Sequence, residues 1–247
     1  MPRHTRGFDT GTAFAHLVKR DRKLGRWMKQ LGPLEPDARW HKVFDPVDAL
    51  ARAILYQQLS GKAASTIVGR VEVAIASDRF HCDTLERCDD AAIRACGVSR
   101  NKLLALRDLA LRESLGEIPT LRQMSTLDND AIVAALVPIR GIGRWTVEMM
   151  LMFRLGRPDV LPVDDLGIRK GAQVVDHAEA MLAPKALIER GQIWGPYRTY
   201  ASLYLWRIAD AVTAQNTLVK SRPMKRSQEY QAAAAGFRVC QHQCHGS

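Results

Sequence analysis

Apolar residues return at every third or fourth position along almost the whole chain, and runs that alternate apolar with polar residues are scarce. That period belongs to helices with one buried face and excludes a large sheet. Glycine and proline then divide the chain into segments. Thr12 to Gln30 reads as one amphipathic helix ended near Gly32-Pro33, and Asp45-Pro46 opens another that runs to about Ala76. Asp89–Ala95 stops at Gly97, Asn101–Ser114 stops before Gly116, and Pro138 closes Asn129–Leu136. A strongly apolar helix follows from Arg144 to about Leu155, broken by Gly156-Arg157-Pro158. Pro162 with Asp164 and Asp165 begins the next, and Pro184–Arg190 and Tyr197 to about Ala214 are the last. The expected class is all-α.

The 247 residues suffice for one large domain or two small lobes, and 47% hydrophobic with 25% charged residues is the balance of a globular chain. No apolar run is long enough for a membrane span, and Met1 to Thr10 lacks the apolar core of a signal peptide. The expected setting is the cytoplasm, at the nucleoid. The net charge of +10 favours a polyanionic partner, nucleic acid first. Five cysteines, Cys82, Cys88, Cys96, Cys240 and Cys244, show no paired spacing, so a disulfide framework is not expected. Cys240 and Cys244, with His242 and His245, have metal-ligand chemistry but lack a second ligand pair. The tail from 216 to 247 reads as loose.

The stretch Leu136-Val137-Pro138-Ile139-Arg140-Gly141-Ile142-Gly143-Arg144-Trp145-Thr146 ends one helix, turns at two glycines and starts another. Glycine permits positive φ and close approach of another backbone, and amide N–H groups at a helix N-terminus make an anion site. A DNA phosphate suits it, with Arg144 and Thr146 as flanking contacts; a bare glycine turn between helices is the plainer alternative.

With this stretch the chain resembles the helix-hairpin-helix (HhH-GPD) DNA glycosylases, and within them the 3-methyladenine DNA glycosylase II branch. Four blocks carry the resemblance: Ile54-Leu55-Tyr56-Gln57-Gln58-Leu59-Ser60 with Lys62-Ala63-Ala64; Gly97-Val98-Ser99 with Lys102; the hairpin; and Leu161-Pro162-Val163-Asp164-Asp165-Leu166-Gly167. A weaker fifth runs from Trp194-Gly195-Pro196-Tyr197 to Tyr204-Leu205-Trp206. The resemblance implies a two-lobed helical fold over residues 1–215 with a DNA-binding cleft between the lobes. The central lobe would cover about 45–160, with the helix-hairpin-helix at 129–155. The N-terminal segment and about 161–215 would form the second.

It also implies roles for particular residues. The family's catalytic aspartate follows the hairpin by about twenty residues, the place of Asp165. A carboxylate at a helix N-terminus meets free N–H groups and stays ionised, able to stabilise charge developing on the sugar and to orient a water. Asp164 reads as a helix cap, partnered by Arg169 or Arg198. Members that also cut the backbone carry a lysine nucleophile just after the hairpin. Here that residue is Trp145, so base release without strand cleavage is expected. The iron–sulfur branch needs four clustered cysteines after the aspartate, and this chain has two, so no cluster and no required cofactor are expected.

Trp145 and Trp206 match positions that line the family's base pocket, with Tyr56, Met149 and Leu166 as further candidates. An indole face attracts a cationic alkylated purine, although a tryptophan on a helix is more often core. Met149 stands where some relatives place another aromatic. Gln57, Gln58 and Leu59 fall where the family inserts a side chain into the gap left by a flipped base; Gln58 or Leu59 is the plug, and Gln57 equally well satisfies buried backbone groups. Ser60, Lys62, Ser99 and Lys102 are candidate phosphate contacts. Family hairpins sometimes hold a monovalent cation through carbonyls, here those of Val137, Ile139 and Ile142.

The implied function is a monofunctional glycosylase releasing alkylated purines such as 3-methyladenine from double-stranded DNA, with no membrane and no obligate protein partner. Two alternatives stay open: a glycosylase of the same fold for a deaminated or oxidised base, and a non-catalytic helix-hairpin-helix DNA-binding protein.

Overall fold

The structure, a computed structural model, describes residue 4 and residues 6–219. Cys240, Cys244, His242, His245 and the tail from residue 220 lie outside the described residues. Among those described, every regular element is helical: α1 (Thr10–Arg20), α2 (Arg22–Leu31), α3 (Pro46–Tyr56), α4 (Gly61–Ile75), α5 (Cys82–Leu85), α6 (Asp90–Ala95), α7 (Arg100–Ser114), α8 (Leu121–Met124), α9 (Asn129–Leu136), α10 (Arg144–Phe153), α11 (Leu166–Asp176), α12 (Pro184–Arg190) and α13 (Arg198–Val219). Short 3-10 turns occupy Ala38–His41 and Gly191–Trp194. No helix is long and apolar enough to cross a membrane.

Aspartate opens many of these helices. Asp9, Asp21, Asp45, Asp89, Asp128 and Asp165 each accept a first-turn backbone N–H that has no intrahelical partner. This chemistry corrects two of the expected elements. The segment Thr12–Gln30 is two helices: at Asp21 the backbone becomes extended (φ −130°, ψ 99°), and the carboxylate caps α2 through Lys23 N and Leu24 N. The segment from Asp45 to Ala76 is also two helices. It breaks at Gln57–Ser60, where Gln58 takes a left-handed φ of 57° and Ser60 caps α4. The apolar period continues across both breaks, so periodicity alone misses them. Helices α5 and α8 lie in stretches that read as connections.

By their contacts, the described residues form two units. The first is residues 43–147 with His4. Its core includes Leu50, Ile54, Leu55, Val71, Ile75, Phe80, Leu106, Leu109, Ile132 and Leu136. The second is residues 6–42 and 148–219, so the boundary falls inside α10. Its core gathers Leu17, Leu24 and Met28 from α1 and α2, Ile168, Ala172 and Val175 from α11, and Tyr200, Tyr204, Leu205 and Ile208 from α13. The most extensive helix pairing is α11 on α13. Gly171 permits it: a Cβ there would lie 2.1 Å from the Leu205 carbonyl oxygen.

Candidate active site

Asp165 is the N-cap of α11 and only 6% exposed. Its own N–H is bound to the Pro162 carbonyl at 3.1 Å, which fixes the turn before the helix. Its Oδ1 accepts two hydrogen bonds, from Ile168 N at 2.9 Å and from the Trp206 indole Nε1 at 2.9 Å. Helix terminus and indole therefore aim two N–H donors at one carboxylate oxygen and fix its position.

Trp206 is in turn stacked on Phe153 of α10, with ring centroids 6.0 Å apart and planes 18° from parallel. The Arg39 guanidinium lies over the Phe153 ring at 4.8 Å, and Arg39 is gripped by Asp37. Arg39 and Phe153 had no sequence signal. They stand far from Trp206 in the chain, and only the tertiary fold of the second unit brings them to it.

The cap is Asp165, at the helix N-terminus where the sequence placed it, and the cap reading of Asp164 is not met. Asp164 is exposed, and neither expected partner takes it up. Arg198 forks onto Asp159 at 2.6 and 2.7 Å, and Arg169 donates to the Leu182 carbonyl at 2.8 Å. Leu166, on the first turn of α11, is 63% exposed beside the buried carboxylate.

In the first unit, the hairpin closes through Ile142 N on the Ile139 carbonyl at 3.0 Å. Gly141 has φ +78°, and a Cβ there would stand 3.1 Å from Ala105 Cβ, so the turn itself demands glycine. Gly143 is different: a Cβ there meets nothing within 4 Å. Its carbonyl accepts Thr146 N and Val147 N, starting α10. Arg144 is exposed, 3.6 Å from Asp130, and Trp145 is half-buried. Thr146 is buried, which removes its side chain from the expected surface contacts. The carbonyls of Val137, Ile139 and Ile142 are neutral oxygen donors of the kind a monovalent cation takes. That of Ile139 spends one lone pair on Ile142 N–H.

Gln57 donates to the Gly141 carbonyl at 2.9 Å and so ties the α3–α4 loop to the hairpin. Lys102, expected at phosphate, instead points inward. Its Nζ donates to the carbonyls of Leu55 and Gln57, each at 2.7 Å, and burial pushes its pKa down. Ser60 and Ser99 cap α4 and α7, while Lys62 stays exposed on the first turn of α4. Gln58 is exposed at the loop's tip and Leu59 half-buried. Tyr56 and Met149, candidates for a base pocket, are 4% and 3% exposed and belong to the interior; burial pushes the Tyr56 hydroxyl pKa up.

Residues 51–196 match the family model described as HhH-GPD superfamily base excision DNA repair protein. The DNA-3-methyladenine glycosylase 1 of Schizosaccharomyces pombe is 35% identical over 193 residues, 78% of this chain and 84% of that protein. A solved structure of the S. pombe 3-methyladenine DNA glycosylase in complex with abasic DNA superposes with a TM-score of 0.69 at 34% identity, covering 79% of this chain and 95% of that one. The DNA-3-methyladenine glycosidase of Bacillus halodurans gives a TM-score of 0.74 at 32% identity over 87% and 95% of the two chains. With more than half its length matched by the family model, this chain belongs to the HhH-GPD superfamily of base excision DNA repair proteins.

Proposed function

We propose that the protein is a monofunctional DNA glycosylase that binds damaged duplex DNA and hydrolyses the N-glycosidic bond of alkylated purines such as 3-methyladenine. The observation that carries this reading is Asp165, a buried carboxylate at the start of α11 held by an indole N–H, in a chain 35% identical to a 3-methyladenine glycosylase.

As the bond to the base stretches, positive charge develops on the sugar. A carboxylate fixed by two donors stabilises that charge without reorganising and orients a water for attack. N-alkylated purines are cationic and leave readily, so the chemistry needs no strong acid. The indole faces of Trp145 and Trp206 suit a cationic base. At position 145 a tryptophan replaces the lysine of lyase-active relatives, so the product is an abasic site with the strand intact. Extrusion of the nucleotide costs a few kcal/mol, offset by insertion from the exposed loop at Gln58 and Leu59.

The hairpin amides around Gly141 and Gly143, with Arg144, take a strand phosphate. A monovalent cation held by the carbonyls of Val137, Ile139 and Ile142 would add positive charge there. Such an enzyme works at the nucleoid. The test is to incubate the protein with methylated duplex and identify the released base by mass, beside duplexes carrying a deaminated or an oxidised base. Release of methylpurines alone supports the reading; release of another lesion, or of none, contradicts it.

A further inference from the structure

The positive surplus is confined to the two ends of the chain. Residues 43–147, which hold the hairpin, contain thirteen Lys and Arg against thirteen Asp and Glu, and residues 148–219 contain eight against eight. The surplus of ten lies wholly in residues 1–42, with ten cations against four acids, and in residues 220–247, with five against one. The segment that carries the hairpin is thus neutral overall.

Within residues 1–42, six cations fall between Lys19 and Lys29, and Asp21 is the single acid among them. Asp21 is 4% exposed and already bound by Arg190 and Trp194, so it offsets none of the surface charge. Leu24, Gly25 and Met28 turn into the core of the second unit, which leaves Arg22, Lys23, Arg26 and Lys29 exposed on the other face of α2. Lys19 and Arg20 are exposed at the end of α1. Arg22, Arg26 and Lys29 are spaced i, i+4, i+7, one stripe about 10 Å long.

Lys23 lies 3.5 Å from Asp176. Among the described residues, the other five have no carboxylate within ion-pair distance. In the hairpin unit, where cations and carboxylates are equal in number, several cations are paired: Arg52 with Asp48 and Glu72, Arg107 with Asp90, Arg112 with Asp108 and Glu117, and Arg144 with Asp130.

We propose that this α1–α2 face is a second contact for the phosphate backbone of duplex DNA, separate from the hairpin. The proposal rests on the glycosylase reading above. Duplex DNA carries about one charge per 1.7 Å of axis, so a 10 Å row meets several phosphates, and an Arg-rich row suits their geometry. The face also has a defined distance from the chemistry. Lys23 reaches Asp176, the last residue of α11, while Asp165 caps the first turn. The eleven residues of α11 span about 16 Å, or about five base pairs. The face therefore meets duplex flanking the extruded nucleotide rather than the lesion.

The test uses the full chain with Arg22→Gln, Arg26→Gln and Lys29→Gln combined, bound to an undamaged fluorescent duplex of about three helical turns over a series of salt concentrations. Each lost phosphate contact lowers the slope of log affinity against log salt by about 0.9. The expected fall is about 2–3 with unchanged melting temperature. Should melting change, the exposed pair Lys19→Gln with Arg20→Gln carries the same prediction, with a fall of about 2. A Gly143→Ala variant is measured in parallel as the hairpin control. If Gly143→Ala weakens binding and the charge variants keep the parent slope, the second contact is overturned and the face is left for an acidic protein. If no variant alters duplex binding, the glycosylase reading fails with it.

Discussion

The indole N–H of Trp206 donates to Asp165 Oδ1 at 2.9 Å, across forty-one residues of sequence. The same oxygen takes the Ile168 amide, so α11 and α13 each supply one donor. Phe153 and Arg39 stack behind the indole and hold its plane. Trp206 thus has a second task besides the base pocket that the sequence suggested for it: it positions the carboxylate.

Trp206→Phe keeps an aromatic ring to stack on Phe153 but removes the N–H donor, together with part of the indole's area. Loss of one hydrogen bond to a charged group in a buried site is worth roughly 1.5–3 kcal/mol, about ten- to a hundredfold in rate. Single-turnover base release should fall by that factor, while affinity for abasic-site duplex, measured by anisotropy, changes little. Equal losses in both would make Trp206 a binding residue only.

Gly171→Ala tests how the two donors are brought together. The added Cβ would sit 2.1 Å from the Leu205 carbonyl oxygen, so α11 and α13 must part. Overpacking of this kind costs about 1–3 kcal/mol, and it moves Trp206 away from Asp165. Urea unfolding should show the destabilisation, and base release should drop by more than the loss of folded protein explains. A variant of parent stability would mean the helices are not held at this contact.

The hairpin glycines should separate stability from binding. Gly141→Ala forces a side chain into φ +78° and against Ala105, and should destabilise by about 1–2 kcal/mol. Gly143→Ala meets no atom of the protein within 4 Å, so melting should not change. If the hairpin takes a strand phosphate as proposed, the added methyl would stand in the way and duplex affinity should fall. Parent-like binding by Gly143→Ala would remove the hairpin from the interface.

Asp21 supplies a pH test of the second unit. Burial pushes its pKa up, but the Trp194 N–H, the Leu24 amide and Arg190 outweigh it and hold the carboxyl below its usual value. A depressed folded pKa contributes stability above the unfolded value of about 3.9, and that contribution disappears as pH falls through the folded pKa. Asp21→Asn should cost about 1.5–3 kcal/mol at neutral pH, since the Trp194 N–H and the Leu24 amide lose a charged acceptor while Arg190 keeps its pair with Asp176. Thermal melts should converge for parent and variant well below pH 4; a constant gap there would assign the loss to packing instead.

The helical class and the hairpin were legible because period, proline and glycine act locally. The breaks at Asp21 and at Gln57–Ser60 were not, because apolar spacing carries on through them while a side chain caps the next helix. Asp165 was legible at its helix N-terminus, but the partners of Asp164 were not, because Arg198 and Arg169 are drawn to Asp159 and the Leu182 carbonyl by tertiary contacts. Lys102 reads as a surface cation in a polar stretch, yet its ammonium seals two carbonyls at the end of α3. The stack of Arg39, Phe153 and Trp206 joins three distant segments, and no local pattern announces it.

The most direct measurement is single-turnover release of 3-methyladenine from methylated duplex by Asp165→Asn. The substitution keeps the cap's shape and oxygen but removes its charge. The account predicts a rate lowered by about a thousandfold or more, with abasic-duplex affinity and melting temperature near those of the parent. Release at the parent rate by a folded, DNA-binding Asp165→Asn protein would contradict it.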